Sequence, residues 1–105
     1  MEGFNVYIWF FKKLEKMPDV LVNVDFLMST HSMVFTEKNT SKMVSLDDYF
    51  RRFNDYAMNP LSFENSGQSV LIDNNVMHTS MSVGDVIQVE DMYWLCDDCG
   101  WTQIN

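Results

Sequence analysis

Short apolar runs rich in aromatic and β-branched residues constrain this chain more than any other feature. The first is "NVYIWFF", which as a strand would present on one face Phe4, Val6, Ile8 and Phe10. Comparable runs are "VLVNVDFLM", "QSVLID", "VMHTS", "DVIQVE" and "MYWLCD". Turn-forming residues at 73–75 and 90–91 suit tight connections between neighbouring runs. The pattern predicts a mainly antiparallel β-sheet. Residues 29–44 are ambiguous, with "MVF" and "KMV" as candidate short strands.

One segment, "SLDDYFRRFNDYA", has the periodicity of a helix. Its apolar residues recur at spacings of three and four, and they are Leu46, Tyr49, Phe50, Phe53 and Ala57. Ser45 can cap the first turn, where Asp47 and Asp48 suit the exposed N–H groups. The sequence therefore predicts an α+β fold, with one main amphipathic helix at about 46–57 packed on the sheet.

Length and composition point to a single domain spanning residues 1–105. Apolar residues make up 47% of the 105, enough to bury a modest core. The apolar runs fall far short of the roughly 20 residues that span a membrane, and no secretory signal is visible. Two cysteines do not form a disulfide framework, so we expect a cytoplasmic protein, in the host cell if the source is viral.

Charge is unevenly distributed along the chain. The formal net charge is −8, and all of it falls in residues 45–105, which hold ten acids against Arg51 and Arg52. Such a surface repels nucleic acid and anionic membranes and attracts basic proteins. A bland alternative is that the charge serves solubility.

Six acidic residues are the candidate partner-binding residues. Four lie on the last predicted hairpin, with Glu90 and Asp91 at the tip and Asp97 and Asp98 at the base. Asp47 and Asp48 in the first turn of the helix complete the set, which is Glu90, Asp91, Asp97, Asp98, Asp47 and Asp48. Rows of carboxylates can mimic phosphates toward a basic nucleic-acid groove. The alternative is a solvated hairpin whose charge discourages aggregation.

The "CDDC" sequence places Cys96 and Cys99 two residues apart. A redox pair of this spacing normally begins a helix, whereas this one follows a predicted strand, and the intervening acids would raise the thiol pKa. Half of a zinc site is the second interpretation, but completing it requires His31 and His78 or a second chain. We predict two thiols with a structural or incidental role, and keep a zinc-stabilised interaction module as the alternative function.

No other pattern indicates catalysis. The four glycines are scattered, and no strand-to-helix nucleophile turn is present. Neighbouring acids on a strand point to opposite faces, whereas acid–base chemistry needs carboxyl groups that converge across a cleft. We therefore predict a non-enzymatic protein without catalytic residues or cofactor. A small hydrolase or nuclease subunit would require such a cleft.

The first predicted strand is apolar on both faces. Tyr7, Trp9 and Phe11 would face away from a core built on the opposite side. Either a second layer covers them or they form an interface, such as that of a homodimer.

The second half of the chain, about residues 45–105, resembles the YodL-like proteins of bacteria, phages and mobile elements. The stretch "SMSVGDVI" at 80–87 carries most of the likeness. The other matching positions are Leu46, Tyr49, Phe53, Asn54, Pro60, Phe63, Tyr93, Cys96, Asp97, Gly100 and Trp101. This chain departs from the pattern by inserting "QSVLIDNNVMHT" and by adding Cys99. The resemblance implies no catalytic chemistry, and suggests a phage or mobile-element setting in which some members counter host defence.

The charge asymmetry and the resemblance together give the leading hypothesis. The protein would bind a host protein with a basic surface, such as a nucleic-acid-handling or defence factor, through its acidic C-terminal half. It would bind neither nucleic acid directly nor membrane.

Overall fold

The computed structural model describes residues 3–12, 24–40, 43–55, 57–61, 76 and 80–104. Its strands form one five-stranded antiparallel sheet in the order β2-β1-β3-β4-β5. They are β1 (Phe4–Phe11), β2 (His31–Asn39), β3 (Val86–Val89), β4 (Met92–Asp97) and β5 (Gly100–Ile104). The helical elements are a 3-10 turn (Val24–Phe26), α1 (Leu27–Thr30) and α2 (Leu46–Arg52).

The mainly antiparallel sheet and the α+β class follow the prediction, and β1, β3 and β4 fall where strands were expected. The strand predicted over 20–28 is wrong in its described part, because residues 24–28 are helical. The ambiguous stretch 29–44 contributes one long strand, β2, and β5 was not predicted. The strand predicted over 68–73 lies outside the described residues. Of the one predicted over 76–80, Val76 and Ser80 are described and neither is in a strand.

The prediction of one main helix over 46–57 is not confirmed, since α2 has seven residues and the described chain has two short helices. Its start is as expected, with Ser45 Oγ accepting the N–H of Asp48 at 3.2 Å. α2 ends at Arg52, before the predicted residue 57, because side chains compete for the backbone hydrogen-bonding groups that would continue the helix. Asn54 Nδ2 donates to the carbonyl of Phe50 at 2.8 Å, and Asp55 Oδ1 accepts a backbone N–H at 3.0 Å in the turn that follows.

The core lies between α2 and one face of the sheet. Val6, Ile8 and Phe10 of β1 are fully buried on that face. The ring of Phe53, just after α2, meets Phe10 edge-on at 6.2 Å and Phe35 of β2 at 5.4 Å. Burial of these apolar side chains fixes α2 on the centre of the sheet, so its first turn points toward the β4–β5 end.

The opposite face of the sheet carries Tyr7, Trp9 and Phe11, which are half-buried. Trp9 Nε1 donates to Gln88 Oε1 at 3.0 Å, so the polar atom of this indole is satisfied within the chain. Val86, on the same face, is fully buried. The homodimer interface proposed for this face stays a prediction.

A polar network ties α2 to β2. The buried Tyr49 hydroxyl donates to Glu37 Oε2 at 2.6 Å and accepts from Asn39 Nδ2 at 3.0 Å. Arg52 Nη1 donates to the same Glu37 oxygen at 2.8 Å, with its guanidinium 5.2 Å from the ring centroid of Phe35. Burial, and then the hydrogen bond to Glu37, raises the pKa of Tyr49 from 10.0 to about 12.

A second buried polar group joins three strands at one end of the sheet. Asp85 is fully buried, and its two carboxyl oxygens accept the N–H of Phe11 at 2.9 Å and of Ser82 at 2.8 Å. Its backbone carbonyl accepts the N–H of Cys96 at 2.9 Å. The preceding Gly84 has φ +100°, a conformation that side chains resist. Within the "SMSVGDVI" stretch, Gly84 and Asp85 therefore have structural roles.

We predict that Tyr49→Phe destabilises the fold by about 1 kcal/mol, because a buried hydrogen-bonded hydroxyl is lost. The difference in free energy of unfolding between the wild type and this variant should also disappear as pH rises from 10 to about 12. The reason is that Tyr49 ionises at a lower pH in the unfolded chain than in the folded one. Urea unfolding at several pH values measures both effects. Tyr93→Phe is the control, because the Tyr93 hydroxyl makes no hydrogen bond to the described residues. Equal stability of the two variants would contradict the network's role.

We predict that Asp85→Ala destabilises the fold by about 3 kcal/mol, because the buried N–H groups of Phe11 and Ser82 lose their acceptor. Asp91→Ala, an exposed acid in the β3–β4 turn, should change the free energy of unfolding by less than about 0.5 kcal/mol. Thermal and urea unfolding compare the two. A similar small loss in both variants would show that the Asp85 carboxyl group does not hold the strand ends.

Candidate partner-binding site

An open groove of about 310 Å³ lies where the first turn of α2 meets the turn between β4 and β5. We call it the acidic groove. Its lining residues are Asp47, Phe50, Val83, Cys96, Asp97, Asp98, Gly100 and Trp101. The groove combines acidic residues with two aromatic rings and an exposed valine, so it offers both charge and apolar surface.

The aromatic wall of the groove is held by contacts between α2 and β5. Trp101 Nε1 donates to Asp47 Oδ1 at 3.0 Å, across 54 positions in the sequence. The Trp101 ring also meets Phe50 edge-on, with centroids 6.4 Å apart and planes at 81°. These two contacts fix the indole beside the Asp47 carboxyl group, so an aromatic surface and an acid stand side by side.

The acidic wall is built by the β4–β5 turn. Asp97 Oδ1 accepts the N–H of Cys99 at 2.9 Å, and Oδ2 accepts the hydroxyl of Thr102. The bond from Thr102, followed by those from the Cys99 and Gly100 amides, holds the pKa of Asp97 below its ordinary value. Asp98 at the tip is exposed, and its side chain makes no hydrogen bond or ion pair with the described residues. The turn therefore presents one oriented and one free carboxylate.

The structure divides the six predicted partner-binding residues into separate groups. Asp47, Asp97 and Asp98 all line the acidic groove, but the Asp97 carboxyl group binds Thr102 on the face of the sheet opposite to Trp101. Glu90 and Asp91 form the β3–β4 turn at the other end of β4, which is about 20 Å away by the rise of a strand. The remaining residue, Asp48, pairs with Arg51 on the surface of α2.

Glu90 is also engaged within the chain. Its Oε1 accepts the N–H of Asn5 at 2.9 Å, and its own N–H donates to the Asn5 carbonyl at 2.9 Å. These bonds attach the turn to β1 and hold Glu90 at φ +53°, which is uncommon outside glycine. Glu90 thus has a structural role that the sequence did not indicate.

Basic side chains do not neutralise the groove in the part of the chain that the structure describes. The ion pairs there join Arg51 to Asp48 and Arg52 to Glu37. Neither involves Asp47, Asp97 or Asp98. The groove carboxylates therefore keep their charge available to an external cation.

The two cysteines occupy different environments. Cys96 is 5% exposed at the floor of the groove, whereas Cys99 is exposed in the turn. Burial, followed by the charges of Asp85 and Asp97, raises the pKa of the Cys96 thiol. A thiol of this kind is a poor nucleophile near neutral pH.

The zinc alternative gains no support from the described residues, which contain no group of three or more His, Cys, Asp or Glu side chains able to hold a metal ion. His31 is buried, with Nδ1 2.7 Å from the Thr30 hydroxyl and Nε2 2.6 Å from the Gly84 carbonyl. Both ring nitrogens are thus engaged. His78, the other proposed ligand, lies outside the described residues.

Sequence reasoning missed the aromatic half of the groove. The sequence placed Phe50 in the apolar stripe of the helix and gave Trp101 only as a position of the family resemblance. The available signal was the position of Trp101, since it follows the acidic turn by two residues. The role of Trp101 in the groove could be recognised only once β5 was known, because this strand places Trp101 opposite Cys96 and next to α2.

We predict that an alkylating reagent such as iodoacetamide modifies Cys99 at least about tenfold faster than Cys96 near neutral pH, because only Cys99 is exposed. The variants Cys96→Ser and Cys99→Ser each leave one thiol, and mass spectrometry follows its modification. In urea the two rates should converge. Fast labelling of Cys96 in the folded protein would contradict its burial.

The fold and the groove define a small α+β domain that presents carboxylates beside aromatic rings. Over 88 residues the chain is 32% identical to "Uncharacterized protein R785" of Acanthamoeba polyphaga mimivirus, an alignment covering 71% of this chain and 78% of that protein. The chain belongs to the same family as this mimivirus protein. No family model and no solved structure matches it, so the YodL-like resemblance stays a prediction. Among the described residues, no helix is both long and apolar enough to cross a membrane.

Proposed function

We propose that this protein is a non-enzymatic binding protein of a virus or mobile element. It binds a host protein with a basic surface through the acidic groove, in the cytoplasm of the host cell. The mimivirus relative supports a viral setting. The observation that carries the proposal is that Asp47 and Asp98 line the groove beside Trp101 and have no basic partner among the described residues.

The chemistry of the groove suits an arginine or lysine side chain of the partner. A guanidinium group can pair with carboxylates and also pack on an aromatic ring, and the groove offers both within one volume of about 310 Å³. Trp101 is held in place by Asp47, so the aromatic surface needs little reordering on binding. Val83, which is 60% exposed at the rim, adds apolar contact for the stem of the bound side chain.

The groove suits binding better than proton transfer. The pKa of Asp97 is held low by Thr102 and Cys99, so this carboxylate stays charged and is a poor proton donor near neutral pH. Both of its oxygens already accept hydrogen bonds that fix its orientation. A carboxylate that stays charged near neutral pH adds to the negative charge around the groove.

The net charge of −8 supports the choice of partner. A long-range negative field speeds the encounter with a basic protein and opposes contact with nucleic acid or anionic membrane. Proteins that handle nucleic acid carry basic surfaces of the required sign. We therefore assign the partner to host proteins of that class, including defence factors.

We predict that Asp98→Lys weakens the binding of a fluorescent peptide of about eight arginines by about tenfold at roughly 0.15 M salt. Asp91→Lys makes the same change in net charge at the opposite end of β4, and it should weaken binding by only about twofold. Fluorescence anisotropy measures the affinities, and circular dichroism verifies the fold. Equal weakening by both variants would show that overall charge, and not the acidic groove, binds the cation.

A further inference from the structure

The outer edge of β5 is open among the described residues. β5 (Gly100–Ile104) is the last strand in the sheet order, and β4 is its neighbour on the other side. In an antiparallel pair, the N–H and C=O groups of every second residue point away from the neighbouring strand. Along β5 these groups form a row of donors and acceptors that another extended chain can join.

The two edges of the sheet differ in how they are protected. β2, at the far edge, carries Glu37 and Lys38, and its register against β1 shifts between Ile8 and Trp9. Charged residues and irregularities of this kind discourage strand addition. β5 has the sequence "GWTQI", which contains no charged residue and no proline, and its pairing with β4 is regular. The edge beside the acidic groove is therefore the less protected of the two.

Charge decides which chain can occupy that edge. Asp97 ends β4, Asp98 lies in the turn before β5, and Asp47 of α2 lies against Trp101 of β5. A second copy would bring its own net charge of −8 to this edge, where like charges repel. A basic segment would place lysine or arginine side chains within about 5 Å of the β5 side chains opposite them.

We propose that an extended basic segment of the partner protein adds as a strand along the outer edge of β5. Its lysine or arginine side chains on the α2 side of the sheet enter the acidic groove. This inference rests on the proposed function and specifies how the partner is bound. Backbone hydrogen bonds hold the segment, and the groove selects for positive charge.

Four synthetic peptides of about nine residues test the proposal. The parent alternates lysine with valine or threonine, which favours an extended chain. A neutral analogue replaces each lysine with glutamine. A third peptide is N-methylated at alternate residues, which blocks one edge and leaves the other free to pair. The fourth is N-methylated at consecutive residues, which blocks both edges while keeping the charge.

We expect the parent and the one-edge peptide to bind within about threefold of each other. The peptide blocked on both edges should bind at least about tenfold more weakly, because two or more backbone hydrogen bonds are lost. NMR amide exchange should slow at alternate residues of β5 when the parent binds. Equal affinity of all three charged peptides, unchanged exchange in β5, or no measurable binding of the parent would overturn strand addition.

The outcomes separate this inference from the function on which it rests. If the two-edge-blocked peptide binds as well as the parent and Asp98→Lys weakens both, charge recognition stands and strand addition is wrong. If the neutral analogue binds as tightly as the parent, strand addition stands and recognition of a basic partner is wrong. Sedimentation of the protein alone tests whether a second copy of the chain occupies this edge. A dimer in which the β5 amides are protected from exchange would overturn the proposal.

Discussion

The buried carboxyl group of Asp85 is the contact on which the rest of the structure depends. It accepts amide hydrogen bonds from the end of β1 and from the turn before β3, while its backbone accepts one from β4. An unpaired amide in this position would cost about as much as a whole hydrogen bond contributes. The acidic groove inherits its geometry from this junction, because Val83 and Cys96, two of its lining residues, are positioned by the same turn.

The sequence predicted those parts of the fold whose patterns are local. β1, β3 and β4 are rich in apolar, aromatic or β-branched residues, whereas β5 begins with glycine and carries Thr102 and Gln103 between Trp101 and Ile104. The run at 20–28 misled because a short apolar run fits a strand and a buried helical turn equally well. Here the helical form is supported by contacts from distant residues, since Lys12 donates its backbone N–H to Thr30 and its ammonium group to Met28.

The candidate site also depends on contacts between residues that are distant in the sequence, which local patterns do not show. Composition located the acids, but it could not show which of them meet. Asp47 and Trp101 are 54 positions apart and are joined by the packing of α2 on the sheet, which no local pattern encodes. Both Glu90 and Asp98 carry a carboxyl group, but that of Glu90 binds Asn5, whereas that of Asp98 makes no hydrogen bond or ion pair with the described residues. Charge counting therefore gives a hypothesis about the kind of partner, and the topology of the sheet decides which acidic residues share one surface.

The residues that give this chain its sequence resemblance serve mostly to build the scaffold. Gly84 supplies a backbone conformation, Asp85 satisfies buried amides, and Met81 is buried in the core. The same signature also covers part of the acidic groove, since it includes Val83, Cys96, Asp97, Gly100 and Trp101. Asp98 lies outside that signature and makes no contact that the described fold requires. Its charge can therefore change without loss of structure, so a variant at Asp98 tests the proposed binding separately from the stability of the fold.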